Sequence, residues 1–355
     1  MISKPSTANC SVRDYICYLL SEPLSASCSR LGKVMSITHD SVNRFLGREN
    51  YSSSDLLNEV KGKINPIGGI LSIDDTVIDK PYSQLRNVIG HFWSGKHKRV
   101  VKGVNLLTLY YTDVTGFSVP VSFRIVDKAE GKTKNDYFRE MLIEVKLAGI
   151  IASYVTGDSW YSGIDNLKFI REEGFGFLFG IASNRKISLG RGRQQQVQSV
   201  EIPPHGLVCY LPQFGIVTVF QQKFKEESRY YIVCLPKPSD KADSSSSEPA
   251  VNSVSRKDFE TLHNAHWGIE QYHRILKQVC NIECFQVRNE QAIRNHIFCA
   301  LCAYLQLALL KASNQISNLY QIQQSLFDQV IAQFISKHAH ALPFVCAHSA
   351  YAVNA

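Results

Sequence analysis

The stretch from Thr261 to Lys277, TLHNAHWGIEQYHRILK, sets one carboxylate among several basic side chains. Wound at about 3.6 residues per turn, it puts His263, His266, Glu270, Arg274 and Lys277 on one stripe, while Ile269, Tyr272, Leu276 and Val279 recur at helical spacing on another. The apolar stripe anchors the helix to a core. The polar stripe holds Glu270 among cations, an arrangement suited to phosphate chemistry, and raises the question of which other carboxylates reach it.

Two acidic positions answer by where they fall. The run Ile70-Leu-Ser-Ile-Asp74-Asp75-Thr76-Val-Ile places paired acids inside an apolar strand, where desolvating a carboxylate costs several kcal/mol unless a cation answers it. Neighbours on a strand point to opposite faces, so only one of Asp74 and Asp75 shares a side with a given partner, unless one caps the strand end in solvent. Asp158 ends the apolar run IIASYVTGD, where Gly157 and Ser159 begin a turn. Sites gather at such strand ends in parallel sheets, although a helix N-cap explains an Asp there equally well. Three converging carboxylates would repel one another without a divalent ion. Hard oxygen ligands select Mg²⁺ or Mn²⁺, and two such ions about 3.5 to 4 Å apart can drive in-line displacement at a phosphodiester.

These acids need elements to position them. Gly69 to Ile78, Val104 to Tyr111 and Ser118 to Val126 read as three strands in an antiparallel meander. Helix Asn135 to Leu147, strand Ile150 to Asp158, helix Ser162 to Glu172 and strand Phe175 to Ile181 follow, and this alternation predicts parallel strands with helices packed on the sheet. Strand pieces recur at Gly206 to Leu211, Gly215 to Gln221 and Ser228 to Leu235 and look inserted. The segment KPSDKADSSSSEPAVNSVS after them is expected to be a mobile loop. Helices resume at Arg256 and run, with a break near Glu283, to about Lys337. Before the sheet, Asp14 to Leu20, Ser29 to Val34, Thr38 to Leu46 and Ser54 to Lys63 read as short helices; Ser41, Asn43, Arg44 and Arg48 form either a recognition face or a solvated one.

Composition narrows the class. Lys and Arg outnumber Asp and Glu by 39 to 31 in 355 residues, a net charge of +8, which favours a polyanionic partner. Ten cysteines follow no regular spacing and MISKPSTANCSVRDY holds no apolar leader, so a reducing cytoplasm is expected. Cys299 and Cys302 lack a second pair at zinc spacing and read as buried helix residues. The run Ile297 to Leu310 reads as a core helix, too short and interrupted to span a bilayer. Gly131-Lys132-Thr133 ends like a P-loop, but Val126 stands where its first glycine belongs, which excludes that motif. Trp93 and Trp160 offer rings for an extruded base, but buried packing is the expected role.

Together the residues resemble the DDE transposases of bacterial insertion sequences, from about Gly69 to Gln306. In the insertion-bearing branch the glutamate helix carries Tyr, two residues, Arg, three residues, Glu, six residues, Lys. Glu270 and Lys277 match that pattern, Trp267, Ile269, Tyr272, Arg274 and Leu276 match its surroundings, and His263 and His266 stand in place of its Tyr and Arg. The family's first aspartate lies in an apolar strand just before Thr, which Asp74 satisfies with Thr76, and Asp75 as the alternative; its second precedes a small residue and an aromatic, as Asp158-Ser-Trp-Tyr161 does.

The resemblance implies an α/β fold, an RNase H-like mixed sheet flanked by helices with an inserted β subdomain and an N-terminal helical domain. Residues 1–64 would be the helical, DNA-binding part, 65–183 the first part of the catalytic core, 184–255 the insertion and loop, 256–310 the glutamate helix and core helices, and 311–355 a helical tail. It implies double-stranded DNA as partner, both terminal inverted repeats and target, a homodimer on that DNA, and two Mg²⁺ or Mn²⁺ ions. Asp74 would bridge both ions, with Asp158 and Glu270 each completing one. DNA contacts are expected from Arg274, Lys277, His266, His263 and Tyr272, from Lys96, Lys98 and Arg99 in a basic loop between the first strands, and from Arg185 and Lys186 where the insertion opens. The alternatives are an RNase H-like nuclease without strand transfer and an inactive transposase-derived DNA-binding protein.

Overall fold

The computed structural model describes residues 8–22, 26–190, 192–224, 227–236 and 254–338. Four short helices come first: α1 (Val12–Ser21), α2 (Cys28–Met35), α3 (His39–Arg48) and α4 (Ser53–Val60). Each starts where a serine or threonine precedes it, and Ser11, Ser27 and Thr38 accept hydrogen bonds from backbone N–H groups of the first turn, satisfying donors that a helix start leaves orphaned. The carbonyls orphaned at two helix ends are answered from far away in sequence. Asn281 Nδ2 donates to the carbonyls of Leu19 and Glu22 at 2.7 and 2.6 Å, and Asn295 Nδ2 to those of Leu46 and Glu49, both at 2.6 Å. Asn281 lies in the connection that follows Gln278 and Asn295 in the helix Glu290–Ala312, so these buried amides pin α1 and α3 to the C-terminal part of the chain, and Leu19, Val42, Leu46, Leu56 and Val60 join the main core cluster. Of the possible recognition face on α3, Ser41 is buried and Arg48 pairs with buried Glu49, which leaves Asn43 and Arg44 exposed.

The sheet is built on β1 (Ile70–Asp79), β2 (Gly90–Ser94), β3 (Arg99–Thr112), β4 (Ser118–Ile125), β5 (Tyr154–Gly157) and β6 (Gly176–Ile181). Strand β3 pairs antiparallel with β1 and β4, and β5 lies parallel to both β1 and β6. The order β4-β3-β1-β5-β6 puts the first strand at the centre, in an RNase H-like mixed sheet. Strand β2 is absent from the sequence expectation. It turns the basic stretch into a hairpin, with Arg99 inside β3 and Lys98 at φ 49° in the turn.

The insertion supplies β7 (Lys186–Ser188), β8 (Gln194–Gln196), β9 (Leu207–Leu211), β10 (Gly215–Phe224) and β11 (Glu227–Cys234). These strands extend the central sheet instead of standing apart, because β11 pairs antiparallel with β6 and carries β10, β9, β7 and β8 outward. The expected mobile loop falls, from Lys237 to Ser253, outside the described residues.

Helices α5 (Lys134–Leu147) and α6 (Ile164–Glu172) bury Phe138, Met141, Leu142, Leu167 and Ile170, while α7 (Arg256–Gln278) and α8 (Glu290–Ala312) close the core. A final helix, α9, spans Gln321–His338. The apolar run around Ile297 belongs to the 23-residue α8, longer than the sequence reading allowed and long enough by length and composition to cross a membrane. Yet 78% of its most apolar window is buried inside the protein, Cys299 and Cys302 included, so it is the core helix.

Gly157 closes β5 where no side chain fits. A Cβ there would stand 2.6 Å from Phe179 Cε1 and 2.8 Å from Ile73 Cγ2. Gly157→Ala should therefore destabilise the fold by about 1 to 3 kcal/mol through overpacking, read as a lower thermal midpoint; an unchanged midpoint would show that this packing is slack.

Candidate active site

Strand register brings the first two acids together. Strands β1 and β5 run parallel with Ile70 opposite Tyr154 and Ile73 opposite Gly157. The next residue on each chain is Asp74 and Asp158, so the interval between the two acids in sequence is the offset of the strand pair, and their backbones lie about 4.8 Å apart, one strand spacing.

Helix α7 adds the third acid by running beside β1 in the same direction. Ser72 Oγ donates to the Ala265 carbonyl at 3.4 Å and Lys277 Nζ to the Val77 carbonyl at 2.8 Å. Twelve helical residues rise about 18 Å and five strand residues about 17 Å, so helix and strand stay in step between these two ties. Glu270, midway on the helix, falls level with Asp74. Ser255 and Asp258 cap the start of α7 reciprocally, and Phe259 and Leu262 seat it on Phe220, Tyr231 and Val233 of the insertion strands.

The charges feel this proximity. Although Asp158 is exposed at its surface, the dense protein around its carboxyl and the neighbouring Asp74 push it up to about 6. Burial and Asp74 also raise Glu270, against the lowering influence of Arg229, His273 and Arg274. Asp74 is pulled the other way: burial would raise it, but His273, with Nδ1 3.3 Å from Asp74 Oδ2, and His266 outweigh that and hold it below the ordinary carboxylate range. Asp158 also accepts a bond from Trp160 N at 2.9 Å, so it serves as a cap while facing the other acids.

Asp75 turns to the opposite face. Its Oδ2 accepts from Asn105 Nδ2 and Lys134 Nζ, each at 2.7 Å, and its Oδ1 from Tyr161 OH at 3.2 Å. Lys134 also lies 5.2 Å from the Trp160 ring centroid. Asp75 thus ties the turn that follows Asp158 to the central strand.

The basic groups divide. A cleft of about 240 Å³ is lined by Asp74, Asp75, Glu270, His273, Lys277, Lys96 and Trp93, with Asp158 outside its lining. Arg274 is exposed beside it, as are Lys98 and Arg99 on the hairpin. Lys277 is engaged internally, with Val77 and with Glu283 Oε1 at 3.0 Å. Arg185 is partly buried, which lowers its pKa, and Lys186 is exposed; neither lines the cleft.

Two expected DNA contacts from α7, Tyr272 and His266, are buried, and a third, His263, is partly covered. Tyr272 is 1% exposed, stacks on Tyr110 at 4.9 Å and meets Tyr304 edge-on, so it is core. His266 is 9% exposed, and burial, offset only in part by Asp74, pushes it down to about 4, neutral at pH 7. His263 packs between Tyr231 and Phe259, its Nε2 3.3 Å from Tyr231 OH, and burial lowers it too. The helical stripe was right in spacing, but its first two members face inward.

The tryptophans are corrected the other way. Trp93 and Trp160 are 64% and 63% exposed and flank the acids instead of packing in the core. His273 and Lys134 were not singled out by sequence. His273 stands one turn after Glu270, a spacing that signals a shared helix face, whereas Lys134 at the head of α5 gave no such sign.

A divalent ion is tested here on the donor set alone. Among the described residues, no three His, Cys, Asp or Glu side chains form a closed metal-binding group. The three acids form a spread set of oxygen donors. Asp158 and Glu270 make no ion pair among the described residues, and both are raised by the negative charge of Asp74. Hard oxygens that repel one another suit Mg²⁺ or Mn²⁺.

No curated protein matches the chain. Among solved structures it is similar to a chain of the Drosophila P element transposase strand transfer complex, at 10% identity and a TM-score of 0.29. The match covers 54% of this chain and 48% of that one, so this chain spans about half of its length. With its central strand, its parallel neighbour and the helix after the insertion all inside residues 66–306, the span matched by the Transposase DDE domain family, this chain belongs to that family.

Proposed function

We propose that the protein cuts DNA at the ends of a mobile element and joins the freed 3′ hydroxyl to target DNA, with Asp74, Asp158 and Glu270 as the catalytic acids. The observation that carries this reading is the register of β1 with β5, which sets Asp74 beside Asp158, together with the in-step α7 that sets Glu270 level with both. Asp158 and Glu270 both sense the charge of Asp74, and the three acids together would hold the divalent ions. When bound, such ions activate the attacking oxygen and stabilise the leaving one.

The remaining groups act directly. Lys96 on the cleft wall and Arg274, exposed four residues after Glu270 on α7, hold backbone phosphates beside the scissile one. Lys277 binds the glutamate helix to β1 and keeps the separation of Glu270 from Asp74 fixed. His273 orients the Asp74 carboxylate. Bringing two element ends together calls for two copies of the chain.

The test is a Mg²⁺-dependent assay on DNA carrying the element's ends. Cleavage followed by strand transfer supports the reading, nicking alone points to a nuclease, and binding alone to an inactive relative. The pH profile gives a further expectation. Because Asp158 is raised to about 6 in the metal-free protein, protons compete with Mg²⁺ for it below that value, so the Mg²⁺ concentration for half-maximal rate should rise as pH falls from 7 to 5. A half-maximal Mg²⁺ concentration that stays unchanged over that range would contradict a role for the Asp158 carboxylate.

A further inference from the structure

A second recess, of about 460 Å³, lies between the β1–β2 loop and the connection from α7 to α8. Its lining includes Lys80, Tyr82, Gln84, Arg86, Gln286 and Arg288. Lys80 holds the two walls together: its Nζ donates to the carbonyls of Glu283 and Phe285 at 2.8 and 2.7 Å and sits 3.4 Å over the Phe285 ring. Among the described lining residues the one acid, Asp79, has Oδ2 2.6 Å from His97 Nε2, while its Oδ1 is buried without a hydrogen-bond partner.

Among the described residues, no side chain answers the other polar groups on the lining. Arg86 and Arg288 are exposed and form no ion pair among the described residues. Tyr82 is 99% exposed, and the amides of Gln84 and Gln286 are open beside it. Free guanidinium groups with an exposed aromatic ring and neutral donors are the chemistry that holds a nucleic-acid backbone and stacks on a base.

The recess and the catalytic cleft are separate, but both draw lining residues from β1. Asp79 at its edge is five strand residues beyond Asp74, about 17 Å, or about five base-pair rises of 3.4 Å. Glu283, whose carbonyl Lys80 holds, also pairs with Lys277 at 3.0 Å and Lys96 at 3.9 Å on the wall of the cleft.

We propose that this recess is a second DNA subsite, which grips the backbone of the strand flanking the scissile phosphate through Arg86 and Arg288 and stacks a base on Tyr82. The inference rests on the cleft's assignment to DNA. It adds a place where the flanking strand is held without regard to sequence, several nucleotides from the cut.

The test uses the full chain, a fluorescent DNA duplex of random sequence and a series of salt concentrations. Each phosphate contact contributes about 0.9 to the slope of log affinity against log salt, so the double variant Arg86→Ala, Arg288→Ala should lose about 2 from that slope while keeping its thermal midpoint. A duplex carrying 5-iododeoxyuridine beyond the cut position should crosslink on irradiation to Tyr82, and Tyr82→Ala should abolish that product. Wild-type binding with an unchanged slope in the double variant and no crosslink at Tyr82 overturns the subsite alone. Failure of the wild type to bind duplex at any salt concentration overturns the subsite and the transposition reading together.

Discussion

Asp74→Asn should lower DNA cleavage by about a thousandfold or more at saturating Mg²⁺ if, as proposed, several kcal/mol of transition-state stabilisation depend on Asp74 as a metal ligand. Asp75→Asn should stay within about tenfold of wild type. The contrast follows from the strand: Asp74 faces His273 and Glu270, whereas Asp75 accepts three hydrogen bonds on the far side from Asn105, Lys134 and Tyr161. An amide at position 75 would set its own donors against those donors, so this variant should lose about 1 to 3 kcal/mol of stability rather than its chemistry. Parallel measurements of cleavage rate and thermal midpoint separate the two. Equal loss of cleavage in both variants would mean that the two acids share the catalytic work.

Tyr272→Ala should destabilise the protein by about 3 to 5 kcal/mol, the cost of emptying a buried aromatic site, and lower the midpoint by about 10 °C. Its ring fills the space between Tyr110 and Tyr304 under α7, and Gly268, four residues earlier, brings the helix close enough that a Cβ there would touch Tyr110 at 3.7 Å. Tyr272→Phe keeps the ring and should keep both DNA affinity and cleavage. Should Tyr272→Phe weaken DNA binding while leaving the midpoint alone, Tyr272 would be a DNA contact after all.

What the sequence disclosed follows from the range of each interaction. The acids were visible because each breaks a local rule: a charge inside an apolar strand, an acid at a strand tip, an acid on a basic helix face. Their convergence was not visible, since it depends on Ile73 pairing with Gly157 across 84 residues. The choice between Asp74 and Asp75 was equally hidden, because adjacent strand residues differ only in the face they present and the face is set by where α7 docks. Periodicity placed His263, His266 and Glu270 on one stripe, yet α7 is covered on more than one side, by β1 and by the insertion strands, so His266 is buried and His263 partly covered. Strand β2, the five residues GHFWS, is too short to show alternation, and it escaped notice inside a basic stretch. The pairing of β11 with β6 likewise has no local signature, which is why an extension of the sheet read as a separate subdomain.

The most direct measurement is anomalous diffraction from crystals of the protein grown with Mn²⁺ and DNA ends. The account predicts Mn²⁺ density bonded to Asp74, with Asp158 and Glu270 completing the coordination and Asp75 still held by Lys134. Density bonded to Asp75, or no ion near Asp74 at a Mn²⁺ concentration that supports cleavage, would contradict it.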